Sequence, residues 1–552
     1  MVICSFVFVP AGAQRTSDTY VVLLKDKDTV NFSVSRPDAF LSARAIAKRQ
    51  RFQLPIRYMD LPVNRAYLDT LSHLDSAVRV MTSSKWFNYA VIGTDDSVGG
   101  GDSLLERISS FAWVRGVYPT HQVPDSLFAV CFLDATAVEA VPALRTDTLY
   151  ESWDSLPDEY WGKTAVQLNV LNGLSLHRRN YQGEGMLVAV IDNGFLYADR
   201  LHYFQSLRER GGIVCATDKS NDTTSLYHRT GSHGMMVLSI MAIREPYDYV
   251  GSAPSADYLL IRTERNDYED ILEEYYWVAG AEFADSVGAD VVNSSLGYTT
   301  FNHSEQNHQW QDMDGKHSFA SIAAENLCQT MVVNIAAGNE GMNEWRRISV
   351  PSDAPSVLCV AAASAEGEIA PFSSRGDSLG TTKPDVTSVG WWCAYCSTND
   401  SIRSGNGTSF ATPLNAGLSA CLWQAFPEKT AKQVMQAIRE SAHLYPEHLD
   451  DYGYGIPDYG KAFLLLQADN RIVRKEKSDF LLYPNPADGY CYLRTERGGE
   501  ADLLNSLGQQ VCSFRLHAGE NLLQWHPLPA GVYYLRICQG GEATVQKIMI
   551  GD

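Results

Sequence analysis

Residues Gly405 to Pro413 read G-N-G-T-S-F-A-T-P, and the rest of the chain is organised around Ser409 within them. Gly407 permits a tight turn that a side chain would obstruct. From Ala411 to Trp423 the residues are small or apolar almost throughout, a run long enough for a buried helix. A serine at the mouth of such a helix points its hydroxyl outward, and the positive end of the helix dipole favours any negative charge that develops there. Those are the conditions of an activated nucleophile, provided that a base lies within reach. The same position suits a serine that merely caps a core helix. The segment alone leaves both readings open, and the decision falls to partners elsewhere in the chain.

Residues 407–413 fit the pattern G-T-S-x-A-x-P at every fixed position. This resembles the nucleophile segment of the subtilisin-like serine proteases, whose triad runs in the chain order Asp, His, Ser. The resemblance implies partners upstream, and three segments supply them. Asp192 lies in Val190-Ile191-Asp192-Asn193-Gly194, where the family usually has Asp-Ser-Gly or Asp-Thr-Gly; Asn193 departs from that pattern and leaves the carboxylate in place. His233 lies in Gly231-Ser232-His233-Gly234, and of the family's H-G-T-H-V-A-G only His233-Gly234 is kept. The run after it, Met235 to Ala242, is apolar on every face and reads as a buried helix. A lone histidine in such a place is more often structural than catalytic; the ordered partners reverse that weighting. Asn339, in Ala336-Ala337-Gly338-Asn339-Glu340-Gly341, matches the family's oxyanion segment letter for letter. By itself Asn-Glu-Gly would read as a plain turn. As an oxyanion donor, its loss would cost roughly 10² to 10³ in kcat.

Lesser segments agree. Gly251-Ser252-Ala253-Pro254 resembles the family's G-x-A-P turn, and Phe372–Gly376 and Lys383–Val386 resemble its F-S-S-x-G and K-P-D segments. Asn293 to Gly297 resembles its S-L-G strand, which implies that Ser295, Leu296 and Gly297 pair with an extended peptide through backbone hydrogen bonds. The resemblance runs from about Tyr160 to about Leu466. It implies Ser409 as nucleophile, His233 as base, Asp192 as its orienting carboxylate and Asn339 in the oxyanion hole.

Periodicity gives an independent fold reading. Met186 to Ile191, Tyr258 to Ile261, Asp290 to Ser294, Met331 to Ala336 and Val357 to Ala361 are continuous β-rich runs, with helical stretches such as Tyr268 to Val287 between them. That alternation predicts a parallel sheet with helices on both faces, an α/β fold. Functional residues gather at the carboxyl ends of such strands, and Asp192 directly follows one.

On either side the pattern changes. Residues 14–155 read as a small α+β unit, with a strand from Tyr20 to Leu24, a helix-compatible stretch from Phe40 to Arg51, strands near Ala77–Met81 and Phe111–Val117, and a loop from Asp95 to Asp102. Ahead of a subtilisin-like domain this unit resembles a propeptide, which assists folding and blocks the cleft until removed. Thr146 to Glu159 reads as the acidic processing linker, with a mature start expected between Thr146 and Gly162. The catalytic unit spans 156–468, a charged linker 469–479, and a last unit 480–552 of short alternating strands, a small β-sandwich. Its Tyr483-Pro484-Asn485-Pro486 opening and Gly531-Val532-Tyr533-Tyr534-Leu535 strand resemble the C-terminal sorting domain of Bacteroidetes type IX secretion. That implies the type IX machinery as a partner and passage across the periplasm and outer membrane. A generic accessory β-domain is the other reading.

Val2 to Pro10 is apolar and Ala11-Gly12-Ala13 suits a cleavage site, so residues 1–13 read as a signal peptide, though a short one without a basic start. No later stretch has the length and apolarity of a membrane span. A net charge of −20 argues against nucleic acid as a partner. Of the 11 cysteines Cys4 would leave with the signal, and export makes disulfides plausible among the rest. The lone Cys393-x-x-Cys396 pair does not make a zinc site. No cofactor is required by this chemistry; calcium, common in the family, maps to no loop here. The expected activity is that of a secreted serine endopeptidase acting on polypeptides through an acyl-enzyme. A binding protein on an unreactive protease scaffold and a surface adhesin are the competing classes.

Overall fold

The structure, a computed structural model, describes residues 18–28, 32–94, 101–124, 127, 156–220, 225–265, 268–376, 382–476, 480–483, 487, 489–495, 497–505, 509–539 and 542–550. The expected signal peptide and all of the processing linker before residue 156 lie outside these residues. The chain forms two compact units, Met1–Leu466 and Gln467–Asp552.

The first unit opens with an antiparallel sheet of β1 (Asp18–Leu24), β2 (Val78–Ser84), β3 (Tyr89–Thr94) and β4 (Val114–Pro119), in the order β2-β3-β1-β4. Helices α1 (Ala43–Arg51), α2 (Arg65–Ser72) and α3 (Gly101–Ser109) accompany it. Alternate residues of a strand face opposite ways, and here they serve two cores. Val22, Leu24, Ala90 and Ile92 pack with the sheet's own helices. Val21, Leu23, Tyr89 and Val91 join the main core of the α/β domain that follows. The loop expected through Asp102 gives way to α3 at Gly101: Leu104 and Ile108 supply an apolar face that packs into the small core.

The α/β domain follows: α4 (Ala165–Val170), α5 (Leu174–His177), β5 (Leu187–Asp192), α6 (Gln205–Glu209), β6 (Ile213–Asp218), α7 (His233–Ala242), β7 (Arg244–Glu245), β8 (Tyr249–Val250), β9 (Asp257–Arg262), α8 (Leu272–Val287) and β10 (Val291–Ser294). Then come α9 (Phe319–Leu327), β11 (Val332–Ala336), β12 (Leu358–Ala363), β13 (Val386–Val389), the hairpin β14 (Cys393–Cys396) and β15 (Ile402–Gly405), α10 (Thr408–Ala425), α11 (Ala431–Ser441) and α12 (Tyr459–Glu476). Seven strands make one parallel sheet in the order β13-β12-β11-β10-β5-β9-β6. From β5 the order runs one way through β9 and the other way through β10. That switch point opens a crevice at the strands' carboxyl ends, where open α/β sheets bind ligands. Asp192, Ser295 and Asn339 all lie at or just past those ends.

Helix α8 also carries the seat of the N-terminal sheet. Its Glu282 accepts backbone N–H bonds from Lys85 at 2.9 Å and Trp86 at 3.0 Å and a bond from the Ser84 hydroxyl. Asp285 pairs with Arg49 at 2.7 Å, and Asp290, just past the helix, with Lys48 at 2.9 Å and with Arg44.

In place of the linker expected from Asp469, the backbone of α12 continues to Glu476, since Asp469-Asn470-Arg471-Ile472-Val473 holds no glycine or proline to stop it. The second unit has two antiparallel sheets. One contains β16 (Phe480–Tyr483), β17 (Tyr490–Thr495) and β20 (Gly519–Gln524); the other contains β18 (Gly499–Leu504), β19 (Gln510–Leu516), β21 (Gly531–Gln539) and β22 (Glu542–Ile550). Leu493 and Leu523 from the first meet Leu503, Leu535 and Ile537 from the second in a shared core, which makes a small β-sandwich. The disulfides thought plausible are absent among the described residues. Cys215, Cys328, Cys359, Cys393, Cys396, Cys421, Cys491, Cys512 and Cys538 are all unpaired, most of them scattered singly through packed interiors.

Candidate active site

Asp192 ends β5 with 0% exposure. Its Oδ1 accepts the Asn193 N–H at 2.8 Å and a bond from His233 Nδ1, also at 2.8 Å. Its Oδ2 is buried with no hydrogen-bond partner. Occupying Nδ1 with a carboxylate leaves Nε2 as the free acceptor of a neutral imidazole. His233 is the first residue of α7, whose next position must stay bare. A Cβ on Gly234 would stand 2.6 Å from the Gly194 carbonyl oxygen and 2.8 Å from Asp192 Cβ. Burial draws the imidazole pKa down, but the charge of Asp192 and its hydrogen bond more than offset this, with Glu264 adding to them, so the net shift is upward.

The His233 ring lies over Phe410, with centroids 6.3 Å apart and planes 27° from parallel. This sets it beside the residue that follows Ser409. Ser409 itself is 8% exposed, in the first turn of α10. Its hydroxyl donates to the Ser295 carbonyl at 3.2 Å, while the Ser295 hydroxyl donates to the Ser409 carbonyl at 3.0 Å. Pro413 explains the second bond: it has no N–H to return to the carbonyl four residues back, so Ser409's carbonyl is left for Ser295. Asn293 steadies the pair by donating to Ser295 Oγ at 3.1 Å. The hydrogen-bonded line expected from carboxylate to imidazole to hydroxyl is therefore made at its first link. At the second, the Ser295 carbonyl holds the hydroxyl, and no hydrogen bond joins Ser409 to His233 among the described residues.

Asn339 is exposed, three residues past β11. Its Oδ1 accepts from the Thr408 N–H at 2.9 Å and the Thr408 hydroxyl at 3.1 Å. The carboxamide oxygen is thereby fixed and the NH₂ is left as the available donor. With the Thr408 N–H taken, the next amide at the helix start, that of Ser409, is one of the orphan donors every helix carries. Gly407 behaves differently from expectation. Its φ of 161° is ordinary extended backbone, and a Cβ there would meet nothing nearer than 3.7 Å. What glycine leaves open at that position is the space beside the Ser409 N–H and Asn339, not a turn.

Ser295 and Leu296 are buried and Gly297 is exposed. Tyr298 exchanges backbone bonds with Val350 at 2.8 and 3.2 Å, which pins the segment where it leaves the sheet. Asn293, Thr408 and Phe410 all sat in the quoted motifs, but their roles of steadying Ser295, fixing Asn339 and flooring the imidazole went unread. Among the described residues no three His, Cys, Asp or Glu side chains are spaced to hold a metal ion.

Residues 183–455 match the family described as the Subtilase family, residues 19–126 the Peptidase S8 propeptide domain of Bacteroidota, and residues 481–551 the Secretion system C-terminal sorting domain. Subtilisin E of Bacillus subtilis (strain 168) is 29% identical over 328 residues, 58% of this chain and 76% of its own. Subtilisin of Bacillus pumilus is 29% identical over 302 residues, 53% of this chain and 94% of its own. Among solved structures, MycP1 from Mycobacterium smegmatis aligns at 21% identity with a TM-score of 0.41, covering 54% of this chain and 84% of its own, a likeness too slight to add to the fold assignment.

Proposed function

The chain belongs to the subtilase family of serine peptidases, with a Bacteroidota propeptide ahead of the peptidase domain and a secretion sorting domain behind it, and we propose that it hydrolyses peptide bonds through Asp192, His233 and Ser409. The sorting domain marks it for secretion or display at the cell surface. The observation that carries the mechanism is the 2.8 Å bond from His233 Nδ1 to a wholly buried Asp192, with the imidazole set beside the residue that follows Ser409.

In the proposed cycle the Ser409 hydroxyl turns from the Ser295 carbonyl towards His233. His233 Nε2 takes its proton as Oγ attacks the scissile carbonyl carbon. The oxyanion that forms is held by the Ser409 N–H and the Asn339 NH₂. The C–N bond then breaks, His233 returns the proton to the leaving amine, and an acyl ester remains on Ser409. Water, deprotonated by His233, hydrolyses the ester and restores the hydroxyl. Throughout, Asp192 keeps the tautomer and stabilises the imidazolium. Ser295 to Gly297 align the substrate backbone, and the N-terminal domain acts as an inhibitor in place until it is cleaved away. No cofactor enters these steps.

One observation favours a second reading, an unreactive binding scaffold: Ser409 bonds to Ser295 and not to His233. A fluorophosphonate probe separates the two. The processed wild-type protein should label at Ser409 and Ser409→Ala should not. A wild-type protein that binds peptides but never labels would establish the scaffold instead.

A further inference from the structure

Strand β9 stands between β5 and β6, and the row at its end reads Asp192, Arg262, Asp218, in register across the three strands. Neighbours in register point their side chains to one face of a sheet, so Arg262 shares a face with Asp192. It is 0% exposed. A cation in such a place is costly to desolvate, and a buried ion pair is weak evidence for stability. The pair with Asp218 is also long, 3.3 Å from Nη1 to Oδ2, and the other oxygen of that carboxylate accepts the Ser220 N–H at 2.8 Å and the Ser220 hydroxyl at 2.7 Å. The second bond of the guanidinium is the informative one: Nε donates to the backbone carbonyl of Asn193 at 3.0 Å.

Asn193 is where the aim of Asp192 is decided. Among the described residues the Asp192 carboxylate has two partners, both on Oδ1: the imidazole that it must orient and the Asn193 N–H, each at 2.8 Å. Its Oδ2 has none. The Asn193 amide is therefore the fixed point that turns the carboxylate towards His233 Nδ1. Two donors at the end of β9 set that amide. On one side the Thr263 N–H holds the Asp192 carbonyl at 3.1 Å, a backbone bond that any residue but proline would give. On the other side the Asn193 carbonyl is held by Arg262, and that bond belongs to this side chain. Asn193 also abuts the approach to the imidazole: a Cβ on Gly231, two residues before His233, would stand 2.3 Å from Asn193 Oδ1. A shift of Asn193 would disturb both members of the Asp192–His233 pair.

Resting on the serine-peptidase reading above, we propose that Arg262 is a positioning residue: by holding the Asn193 carbonyl it keeps the Asn193 N–H on Asp192 Oδ1, and so the carboxylate on the imidazole.

The test compares processed wild type with Arg262→Met, Arg262→Lys and Asp218→Asn. Each is scored for kcat, KM and pH profile per site titrated with a fluorophosphonate, with a thermal melt alongside. Arg262→Met fills the space without a donor, and kcat should fall by about ten- to a hundredfold while KM stays within about twofold. The acid limb of kcat/KM should move to lower pH, because a carboxylate that is no longer aimed stabilises the imidazolium less. Arg262→Lys keeps a cation beside Asp218 without the guanidinium fork. It should fold even where methionine leaves Asp218 unpaired too costly to bear, and it should show the same loss of kcat and the same shift of the limb. Asp218→Asn breaks the ion pair and leaves Nε on Asn193, so the melting temperature should drop while kcat and the limb stay near wild type. Wild-type kcat and acid limb in the Arg262 variants, in a protein that labels with fluorophosphonate, would overturn the positioning role and spare the peptidase. So would a kcat that falls alongside the melting temperature in Arg262→Met and Asp218→Asn alike, the mark of a structural ion pair. A wild-type protein that never labels would overturn both readings.

Discussion

At the scale of single residues, the pair Asp192–His233 makes a definite statement about pH. Asp192 holds the His233 pKa above its ordinary 6.5 against the opposing pull of burial. A general base must be neutral to accept a proton, so kcat/KM should climb as pH rises through that elevated value. Asp192→Asn removes the charge, so the climb should begin at lower pH, and kcat should fall by roughly 10⁴ because the tautomer is no longer held. A pH–rate profile that keeps its acid limb in this variant would show that Asp192 does not govern His233. The residues proposed for catalysis were legible because each sits at a boundary, a strand end or a helix start, where a short motif shows through. The rotamer of Ser409 was not legible. It depends on the Ser295 carbonyl, brought in from 114 positions away.

At the scale of elements, α7 and α8 carry constraints of different kinds, α7 at its start beside Asp192 and α8 near its end, where the N-terminal domain is seated. For α7 the constraint is bare space. Gly234→Ala would drive a methyl to 2.8 Å from Asp192 Cβ, with backbone oxygen on its other side, so neither neighbour can yield cheaply. We expect a loss of about 1–3 kcal/mol in stability and a larger fall in kcat than in substrate affinity, read by thermal melts alongside steady-state kinetics. A melt and a kcat both matching wild type would show that the helix shifts freely. For α8 the constraint is charge. Arg49→Ala on the propeptide leaves the buried Asp285 with Lys85, 3.4 Å away, as its remaining ion-pair partner among the described residues, besides a hydroxyl from Thr330. Breaking a buried pair in this way costs about 3 kcal/mol at the low end. Propeptide added in trans to the processed enzyme should therefore inhibit roughly a hundredfold more weakly. Unchanged inhibition would place the binding energy elsewhere in the interface. The parallel strands were legible as unbroken apolar runs. The strand Ile213–Asp218 was not, because its edge position leaves its side chains half-exposed and its apolar pattern broken.

At the scale of the whole molecule, the chain is a peptidase unit with its own propeptide, joined to a separate sandwich. Ending the chain at Glu476 should leave kcat/KM of the processed enzyme within about twofold of wild type while stopping release from the cell. Comparing activity in lysate and medium checks both halves of that expectation. The sandwich was legible from short alternating strands, whereas the helical continuation before it was masked by a charged composition that suits a linker and a solvated helix equally. The unpaired cysteines carry a consequence for how this protein travels. Nine thiols spread through two folded units, with no bridge among the described residues, mean that the packing of those parts does not lean on a covalent cross-link. Six of those sulfurs lie inside packed cores that keep oxidants away, whereas Cys215, Cys512 and Cys538 stand partly open and are the ones an oxidising exterior would reach first.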